Sequence, residues 1–239
     1  MNIALFGYGK MGREIEFVAR QRGHKIVVYF DSEDEWQKCG QELPSCDVAI
    51  DFSTPESAIC NINRCFEAKV PIVCGTTGWH NQLEAIRSEC LTTGNTLFFA
   101  SNFSLGVNLF FELNRYLARM MNNYGKYTAN IEEIHHIHKL DAPSGTAITL
   151  ANDIIGIVDR LTAWNKNLEY AENELPIHSI RQDEATGTHT ISYESEADTI
   201  EIKHTAKNRQ GFAIGALLAA EFIQGKSGFF GMNDILKIA

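Results

Sequence analysis

Short apolar runs alternate with longer amphipathic stretches through the first hundred residues. The runs predict five strands, at residues 2–6, 25–30, 46–52, 70–74 and 96–100. The stretches between them, such as residues 10–23, space their apolar side chains as helices do. Alternation of this kind predicts a parallel sheet of the Rossmann type, whose ligands bind at the carboxyl ends of the strands.

The pattern changes in the second half of the chain. Residues 105–121 predict an apolar helix, which fits a core connector better than a cofactor-binding element. A strand at 126–138 and a helix at 144–160 follow. The strands 176–181, 188–194 and 199–204 then alternate apolar and polar side chains, as a sheet does that is buried on one face.

These elements predict two domains. Residues 210–224 form a helix so apolar that it must be buried, and we expect it to return to the first sheet. Residues 1–104 and 210–239 then make a dinucleotide-binding domain. Residues 105–209 make an α+β domain with a mainly antiparallel sheet, for substrate binding and oligomerisation.

A glycine-rich loop connects the first strand to the first helix. Its residues, Gly7-Tyr8-Gly9-Lys10-Met11-Gly12, match G-x-G-x-x-G, in which glycines allow a tight turn and close approach to a pyrophosphate. Asp31 ends the second strand, where a carboxylate can accept hydrogen bonds from ribose hydroxyls. Residues 32–35 contain no arginine, and a 2′-phosphate would face acidic side chains at 31, 33, 34 and 35. We therefore expect NADH to be preferred, with NADPH possible; the alternative is an ordinary acidic surface turn.

The run from Glu132 to Ala147 concentrates candidate chemistry. It contains three histidines and Lys139 within five positions, then a proline, then Ser144-Gly145-Thr146 at the start of a helix. Imidazole and ammonium groups exchange protons, and a helix N-terminus binds anions. The run therefore predicts a site for a small anion that accepts a proton.

Two other interpretations of this run remain. His-His-x-His could bind zinc, but its spacing is irregular for a metal site and a lysine is adjacent, so we predict no metal. The histidines could also be ordinary strand residues. Strand geometry places His135 and Lys139 on one face and His136 and His138 on the other, so we expect at least His138 to be structural.

Composition narrows the class of protein. The chain has 239 residues, 44% of them hydrophobic, and a formal net charge of −9 without a basic tract. Nucleic acid and anionic membrane are therefore not expected as partners. No apolar run is long enough to span a bilayer and no signal sequence is recognisable, so we expect a cytoplasmic protein.

The chain resembles the 4-hydroxy-tetrahydrodipicolinate reductase (dihydrodipicolinate reductase) family over nearly its full length. The resemblance rests on the glycine loop, on Asp51-Phe52-Ser53, Gly75-Thr76-Thr77-Gly78, the segment 102–108, the run 135–147, Gly187-Thr188-His189-Thr190 and the segment 204–209. Two features depart from many members: Phe6 stands where they carry a glycine, and the stretch between Asp31 and Asp47 is short.

The resemblance implies a two-domain, usually tetrameric enzyme of the diaminopimelate route to lysine. Such an enzyme reduces a cyclic dicarboxylate, 4-hydroxy-tetrahydrodipicolinate, to tetrahydrodipicolinate with a nicotinamide cofactor while water is lost. By position, His135 and Lys139 take the catalytic proton-transfer roles, and His136, Ser144, Gly145 and Thr146 bind substrate. Cofactor contacts map to residues 7–12, Asp31, Gly75, Thr76, Thr77, Ala100, Ser101, Asn102 and Phe103.

Two rival functions use the same fold. One is a two-domain dehydrogenase acting on an amino or keto acid. The other is an NADH-binding redox sensor without catalysis, in which the histidine-lysine run is expected to be degraded. The run is intact in this chain, which favours the reductase.

Overall fold

The chain forms two compact units in the computed structural model, which describes residues 1–167 and 169–236. One unit consists of Met1–Leu105 and the described residues from Arg209 onward, and the other of Gly106–Asn208. Each unit is built around one sheet. Among the described residues, none of the helices combines the length and apolar character needed to cross a bilayer.

The first unit contains a six-stranded parallel sheet, which confirms the predicted Rossmann-type fold. Its strands are β1 (Asn2–Phe6), β2 (Lys25–Phe30), β3 (Val48–Asp51), β4 (Ile72–Cys74), β5 (Thr96–Phe99) and β11 (Gly228–Phe230). They lie in the order β11-β5-β4-β3-β1-β2. The order reverses between β1 and β3, and in such sheets the crevice at the reversal point binds the ligand.

Both faces of this sheet are covered, because alternate residues of β1 enter two different cores. Ile3 and Leu5 pack with helices α1 (Lys10–Gln21), α7 (Gln210–Phe222) and α8 (Met232–Leu236). Ala4 and Phe6 pack with α2 (Glu33–Cys39), α3 (Pro55–Glu67) and α4 (Leu83–Thr92). Helix α7 thus returns to the first sheet, as its apolar sequence predicted.

The second unit contains a five-stranded sheet in the order β10-β9-β6-β8-β7. The strands are β6 (Thr128–His135), β7 (Ala163–Asn165), β8 (Glu174–Arg181), β9 (Thr188–Glu194) and β10 (Thr199–Thr205). Helices α5 (Leu105–Met121) and α6 (Gly145–Ile155) supply the rest of its core.

This second sheet is mixed, whereas the sequence predicted a mainly antiparallel one. Strand β9 is antiparallel to both β6 and β10, but β8 is parallel to β6 and to β7. The reason is the connection through α6, since a helical crossover returns the chain in the direction of the strand it left. Hydrophobic alternation reports which face is buried and does not report strand direction.

Strand β6 also ends three residues earlier than predicted, at His135. Beyond it, the Ile137 N–H donates to the Asp183 carbonyl at 3.1 Å, and the Lys139 N–H donates to the His136 carbonyl at 3.1 Å. These bonds turn the chain out of the sheet. The face assignment made for residues 136–139 from strand geometry therefore does not hold.

Candidate active site

In the first unit, a cavity of about 390 Å³ opens where the strand order reverses. It is lined by residues that follow β1, β2 and β3, including Gly7, Gly9, Asp31, Glu33 and Ser53, and by Arg64 of α3. A second cavity, of about 460 Å³, is lined by Gly9, Lys10, Met11, Gly75, Thr76 and Thr77, among others. Eight of the predicted cofactor residues thus line these two cavities.

The glycines of the loop have different tasks. Gly7 has a φ of +87°, and a Cβ atom there would lie 2.4 Å from the Phe52 carbonyl oxygen. A Cβ atom at Gly12 would lie 2.3 Å from the Gly7 carbonyl oxygen, so both glycines allow close backbone packing. A Cβ atom at Gly9 would meet no atom within 4 Å. Gly9 therefore keeps space open at the N-terminus of α1, where amide groups lack intrahelical acceptors.

Asp31 is fixed against the loop. Its carboxylate accepts a hydrogen bond from the Tyr8 N–H at 2.7 Å, and its own N–H donates to the Glu35 carboxylate at 2.6 Å. The Tyr8 ring stacks on Tyr29 with a centroid distance of 4.5 Å. Because a carboxylate offers about four lone-pair positions, Asp31 can still accept from ribose hydroxyls.

The loops that follow β3 and β4 are joined by hydrogen bonds around Asp51. The Thr76 hydroxyl donates to the Asp51 carboxylate at 2.9 Å, and the Ser53 N–H donates to the same carboxylate at 2.8 Å. Asp51 is fully buried, and burial raises its pKa. The network holds the two loops in one arrangement beside the cavities.

The segment Ala100–Phe103 does not line either cavity. Phe103 is 1% exposed, with its ring 5.5 Å from Phe52 and 5.8 Å from Phe98 between centroids. The Asn102 side-chain oxygen accepts from the Ser104 N–H at 2.9 Å, which shapes the turn. Tyr8 and Gly12 also lie outside the cavity linings.

In the second unit, the alternation of β6 buries Glu133 and His135 on the core face. The Glu133 carboxylate accepts from the Ser144 N–H at 3.1 Å and from the Ser179 hydroxyl at 2.8 Å, and an Arg181 nitrogen lies 3.4 Å away. Burial alone would raise the pKa of Glu133. The hydrogen bonds from Ser144 and Ser179 outweigh it, and the pKa lies below its ordinary value.

His135 lies between the Glu133 carboxylate and the start of strand β9. Its Nδ1 lies 3.4 Å from a Glu133 carboxylate oxygen. A Cβ atom at Gly187, whose φ is +140°, would lie 3.1 Å from Nε2, so glycine there admits the ring. Burial lowers the pKa of His135; the Glu133 charge opposes this shift and the Lys139 charge adds to it. The imidazole is therefore neutral at neutral pH.

Lys139 lies in the turn after β6, and its ammonium donates to both oxygens of Asp141, at 2.8 and 2.9 Å. Arg181 fastens the turn, because it donates to the carbonyl oxygens of Lys139 at 3.3 Å and Asp141 at 2.6 Å. The hydrogen bond from Lys139 lowers the pKa of the Asp141 carboxyl. The ammonium is thus positioned near His135, whose pKa it lowers.

The N-terminus of α6 is anchored to the same cluster. The Ser144 hydroxyl caps the helix by accepting from the Ala147 N–H at 3.2 Å, and it lies 3.1 Å from Nε2 of His189. Ser144 is buried and engaged in these bonds. Gly145 is exposed, and the amides of Gly145 and Thr146 belong to the first turn, where amides lack intrahelical acceptors. Amides in this position are able to bind an anion.

The two remaining histidines of the run lie outside the buried cluster. His136 is partly buried. The side chain of His138 is 70% exposed, with Nε2 3.4 Å from a Glu184 oxygen. His138 is thus a surface residue of the turn rather than a packed structural one.

The sequence reasoning missed four residues of this cluster. They are Glu133, Ser179, Arg181 and His189, contributed by β6, β8 and β9. Only Glu133 carried a local signal, since it lies two positions before His135 on a strand and therefore on the same face. His189 lies with its ring 5.0 Å from that of His135, and burial lowers its pKa to about 4.

Glu133, His135 and His189 could offer ligand atoms within 4.8 Å of one another. Both oxygens of Glu133, however, already accept a hydrogen bond from the Ser144 N–H, and the cation of Arg181 is adjacent. The carboxylate is balanced by these donors. The geometry fits a buried hydrogen-bond network better than a metal centre.

Two family models match the chain and together cover nearly all of it. The model described as dihydrodipicolinate reductase, N-terminus, matches residues 1–103. The model described as dihydrodipicolinate reductase, C-terminus, matches residues 106–236. Their junction falls close to the division between the two compact units.

Individual relatives agree with these matches. The chain is 50% identical over 236 residues to a 4-hydroxy-tetrahydrodipicolinate reductase of Christiangramia forsetii, which covers 99% of this chain and 98% of that protein. It is 34% identical over 241 residues to one from Akkermansia muciniphila, covering 97% and 95%. A dipicolinate-bound dihydrodipicolinate reductase from Paenisporosarcina sp. TG-14 shares the fold, with a TM-score of 0.78, 21% identity and 98% coverage of both chains.

Proposed function

The chain belongs to the dihydrodipicolinate reductase family, and from this premise we propose that it reduces 4-hydroxy-tetrahydrodipicolinate to tetrahydrodipicolinate in the diaminopimelate route to lysine. The reaction consumes a reduced nicotinamide cofactor and releases water. The observation that carries the proposal is a cluster in which the buried Glu133 carboxylate contacts His135 and the N-terminus of α6, while the Lys139 ammonium is close enough to His135 to lower its pKa. An ionised dicarboxylate needs such a combination of cation and amides.

The first unit fits a nicotinamide dinucleotide. Gly9 leaves open space at the N-terminus of a twelve-residue helix, which suits a pyrophosphate, and Asp31 can accept from ribose hydroxyls. Residues Lys10, Met11, Gly75, Thr76 and Thr77 line the adjoining cavity, which shares Gly9 with the cavity beside Asp31. When bound, the cofactor supplies the hydride that reduces the ring.

We propose NADH as the preferred form. Asp31 ends β2, and acidic side chains follow at positions 33, 34 and 35. A 2′-phosphate placed beside Asp31 would bring two further negative charges into this acidic segment, whereas a 2′-hydroxyl can donate to the carboxylate. The acidic segment therefore favours the cofactor without the phosphate.

In the second unit, Gly145 and Thr146 would bind a substrate carboxylate through their amides. Lys139 would act as the proton donor and His135 as a neutral hydrogen-bonding partner of the substrate. Burial lowers the pKa of His135 and so favours the neutral imidazole, whose one remaining N–H is too weak an acid to be the proton donor. Lys139 carries an ammonium held by Asp141, and the proton would pass from Nζ to the ring atom on which charge develops.

We propose that His136 lies beside the substrate and that Ser144 supports the site without contacting the substrate. The Ser144 hydroxyl caps α6 and bonds within the His189 network. It would orient the amides of Gly145 and Thr146 rather than contact the ligand. Pre-set amide geometry of this kind stabilises bound charge without reorganisation at the moment of reaction.

We also propose a cytoplasmic homotetramer. Ile134 and Ile180 are neighbours on β6 and β8, on the sheet face opposite the core, and the Ile180 side chain is exposed. A second copy packing on this face would cover them. Light scattering coupled to gel filtration, with a monomer mass of 26.8 kDa, tests this assembly.

The function is tested by adding enzymatically generated 4-hydroxy-tetrahydrodipicolinate to the protein with NADH or NADPH. The proposal predicts steady oxidation of the cofactor, one equivalent for each substrate molecule, faster with NADH. Binding of NADH without oxidation would favour a sensor. Oxidation with amino or keto acids alone would favour a different dehydrogenase.

A further inference from the structure

The cavity beside Asp31 contains an ion pair that joins two separate elements. Arg64, from the last turn of α3, donates from one guanidinium nitrogen to both carboxylate oxygens of Glu33, at 2.9 and 2.7 Å. Glu33 is the first residue of α2, two positions after Asp31. Both residues line the same cavity as Gly7, Gly9 and Asp31.

The guanidinium is held in place by an aromatic stack. The central carbon of Arg64 lies 4.2 Å from the centroid of the Trp36 ring. Trp36 packs edge to face against Phe30 at 5.2 Å, and Phe30 lies 4.9 Å from Phe6 between centroids. The Arg64 side chain is only 16% exposed. We expect a planar cation stacked on this partly buried ring to keep its position when its partner is removed.

Arg64 is the one cationic side chain among the residues that line this cavity. An arginine fork binds carboxylate and phosphate with the same geometry, so a carboxylate already bound to it competes with a phosphate. Glu33 is also fastened by the Gln37 side-chain amide, which donates to it at 3.0 Å. The guanidinium that lines this cavity is therefore already paired with a carboxylate.

We propose that Glu33 and Arg64 together determine cofactor choice, with Glu33 masking a latent 2′-phosphate site on Arg64. The inference rests on the proposed function in one respect, the placement of the adenosine ribose beside Asp31. With Glu33 present, a 2′-phosphate meets a carboxylate and an occupied guanidinium, so NADH is preferred. Without Glu33, Arg64 is free to bind the phosphate of NADPH.

A purely structural role for the pair predicts something different. The Glu33 side chain is 61% exposed, and exposed ion pairs contribute little to folding. If the pair only tied α2 to α3, removing Glu33 would slightly lower the melting temperature and leave the ratio of NADPH to NADH use unchanged. The cofactor ratio therefore separates the two roles.

The experiment compares the wild type with Glu33→Ala, Glu33→Ala/Arg64→Gln and the matched control Asp34→Ala. Asp34 is the next residue of α2, and its replacement by alanine removes the same charge. Asp34 does not line the cavity. For each protein, kcat/KM is measured with NADH and with NADPH. In parallel, calorimetry measures binding of adenosine 2′,5′-bisphosphate and of adenosine 5′-monophosphate without substrate.

We expect Glu33→Ala to raise the NADPH to NADH ratio of kcat/KM about tenfold or more, because a charge-assisted phosphate contact is formed. The affinity ratio of the bisphosphate to the monophosphate should rise by a similar factor. Arg64→Gln in the same background should remove most of this gain. Asp34→Ala should change the ratios by less than about threefold, since Asp34 is exposed, does not line the cavity and is screened by solvent.

The inference is overturned if Glu33→Ala leaves both ratios within about twofold of the wild type. It is also overturned if the gain survives the loss of Arg64, or if Asp34→Ala reproduces it. Failure of the proposed function has a different signature. A wild type that oxidises neither cofactor, or prefers NADPH, contradicts that proposal, while the changes in bisphosphate affinity between variants still decide the role of the pair.

Discussion

The two candidate sites of this protein are built in different ways. The dinucleotide site of the first unit is made of backbone: glycines 7, 9 and 12, a helix N-terminus and the ends of parallel strands. The site of the second unit is made of side chains, with Glu133, His135 and Lys139 brought together by strand pairing. Backbone amides are suited to binding phosphates. Grouped titratable side chains shift one another's pKa values, which suits proton transfer.

The difference shows in how charge is handled. At Asp31, an exposed carboxylate is engaged by one backbone N–H and stays available to solvent. At Glu133, a fully buried carboxylate is compensated by Ser144, Ser179 and Arg181. Because an uncompensated buried charge is costly, the second site depends on several partners at once. Substitutions in the two units should therefore affect different measurements.

The largest effect is expected from Lys139→Ala. If Lys139 donates the proton, kcat should fall about 10²–10⁴-fold, the range for loss of a general acid. NADH affinity should stay within about twofold, since the cofactor loop is in the other unit. Lys126→Ala, which removes an exposed lysine of the same unit, is the control. Unchanged kcat in Lys139→Ala would remove this residue from the chemistry.

Substitutions in the glycine loop test the site of the first unit. Gly9→Ala places a methyl group in open space reserved for the cofactor, so NADH affinity should fall about tenfold to a hundredfold, as for other overpacked sites. The melting temperature should hardly change. Normal NADH affinity, measured by fluorescence titration, would show that the pyrophosphate does not approach Gly9.

Gly7→Ala is the counterpart that should damage the fold. Its Cβ atom would lie 2.4 Å from the Phe52 carbonyl oxygen, and φ is +87°. Backbone strain of this kind costs roughly 1–3 kcal/mol before the clash is counted. Urea unfolding should show a loss at least this large. A stable Gly7→Ala protein would contradict the account of the loop.

In the second unit, Glu133→Gln tests the buried network. The Glu133 charge raises the pKa of His135, so its removal should lower that pKa further below the ordinary value. The loss of charge-assisted bonds should also cost about 1–3 kcal/mol of stability. NMR titration of the imidazole measures the shift, with Glu132→Gln on the opposite face of β6 as control. An unchanged or higher pKa would contradict the network.

The last effect concerns acid stability and appears only at acidic pH. The pKa of His189 is about 4 in the folded protein and ordinarily 6.5. Between these values the unfolded chain binds more protons, so the free energy of unfolding should fall as pH drops from about 6.5 to about 4, by at most about 3.4 kcal/mol. His189→Gln should flatten this part of the profile in urea unfolding experiments. An equal slope in both proteins would show that His189 does not titrate in this way.

The first site could be predicted from sequence because its determinants are local. A glycine pattern between a strand and a helix specifies both the turn and the open amides, and Asp31 ends the adjacent strand. Arg64 could not be predicted in the same way. It lies 31 positions from Glu33, and only the packing of α3 beside α2 brings the two together. Residues 32–35 contain no arginine, whereas the fold brings Arg64 to the cavity that Asp31 lines.

The second site was predictable only in part, because strand pairing assembles it. The run 135–147 identified His135 and Lys139, but periodicity did not show that β6 ends at His135. That end depends on bonds to residues 182 and 183 after β8. The burial of Ser144, and the roles of Arg181 and His189, follow from the same pairing. The sequence predicted Ser144 as a substrate ligand, and only the fold shows that its hydroxyl also caps α6 and lies beside His189.

The most direct test of the division between the two units is a pair of amide NMR titrations with NADH and with pyridine-2,6-dicarboxylate, each added alone. If the dicarboxylate binds the second unit, it should shift the signals of Lys139, Gly145 and Thr146 and leave those of Gly9 and Met11 in place. NADH should shift the signals of Gly9 and Met11. If the dicarboxylate shifts only signals of the glycine loop and leaves those of Gly145 and Thr146 in place, it does not bind the second unit as proposed.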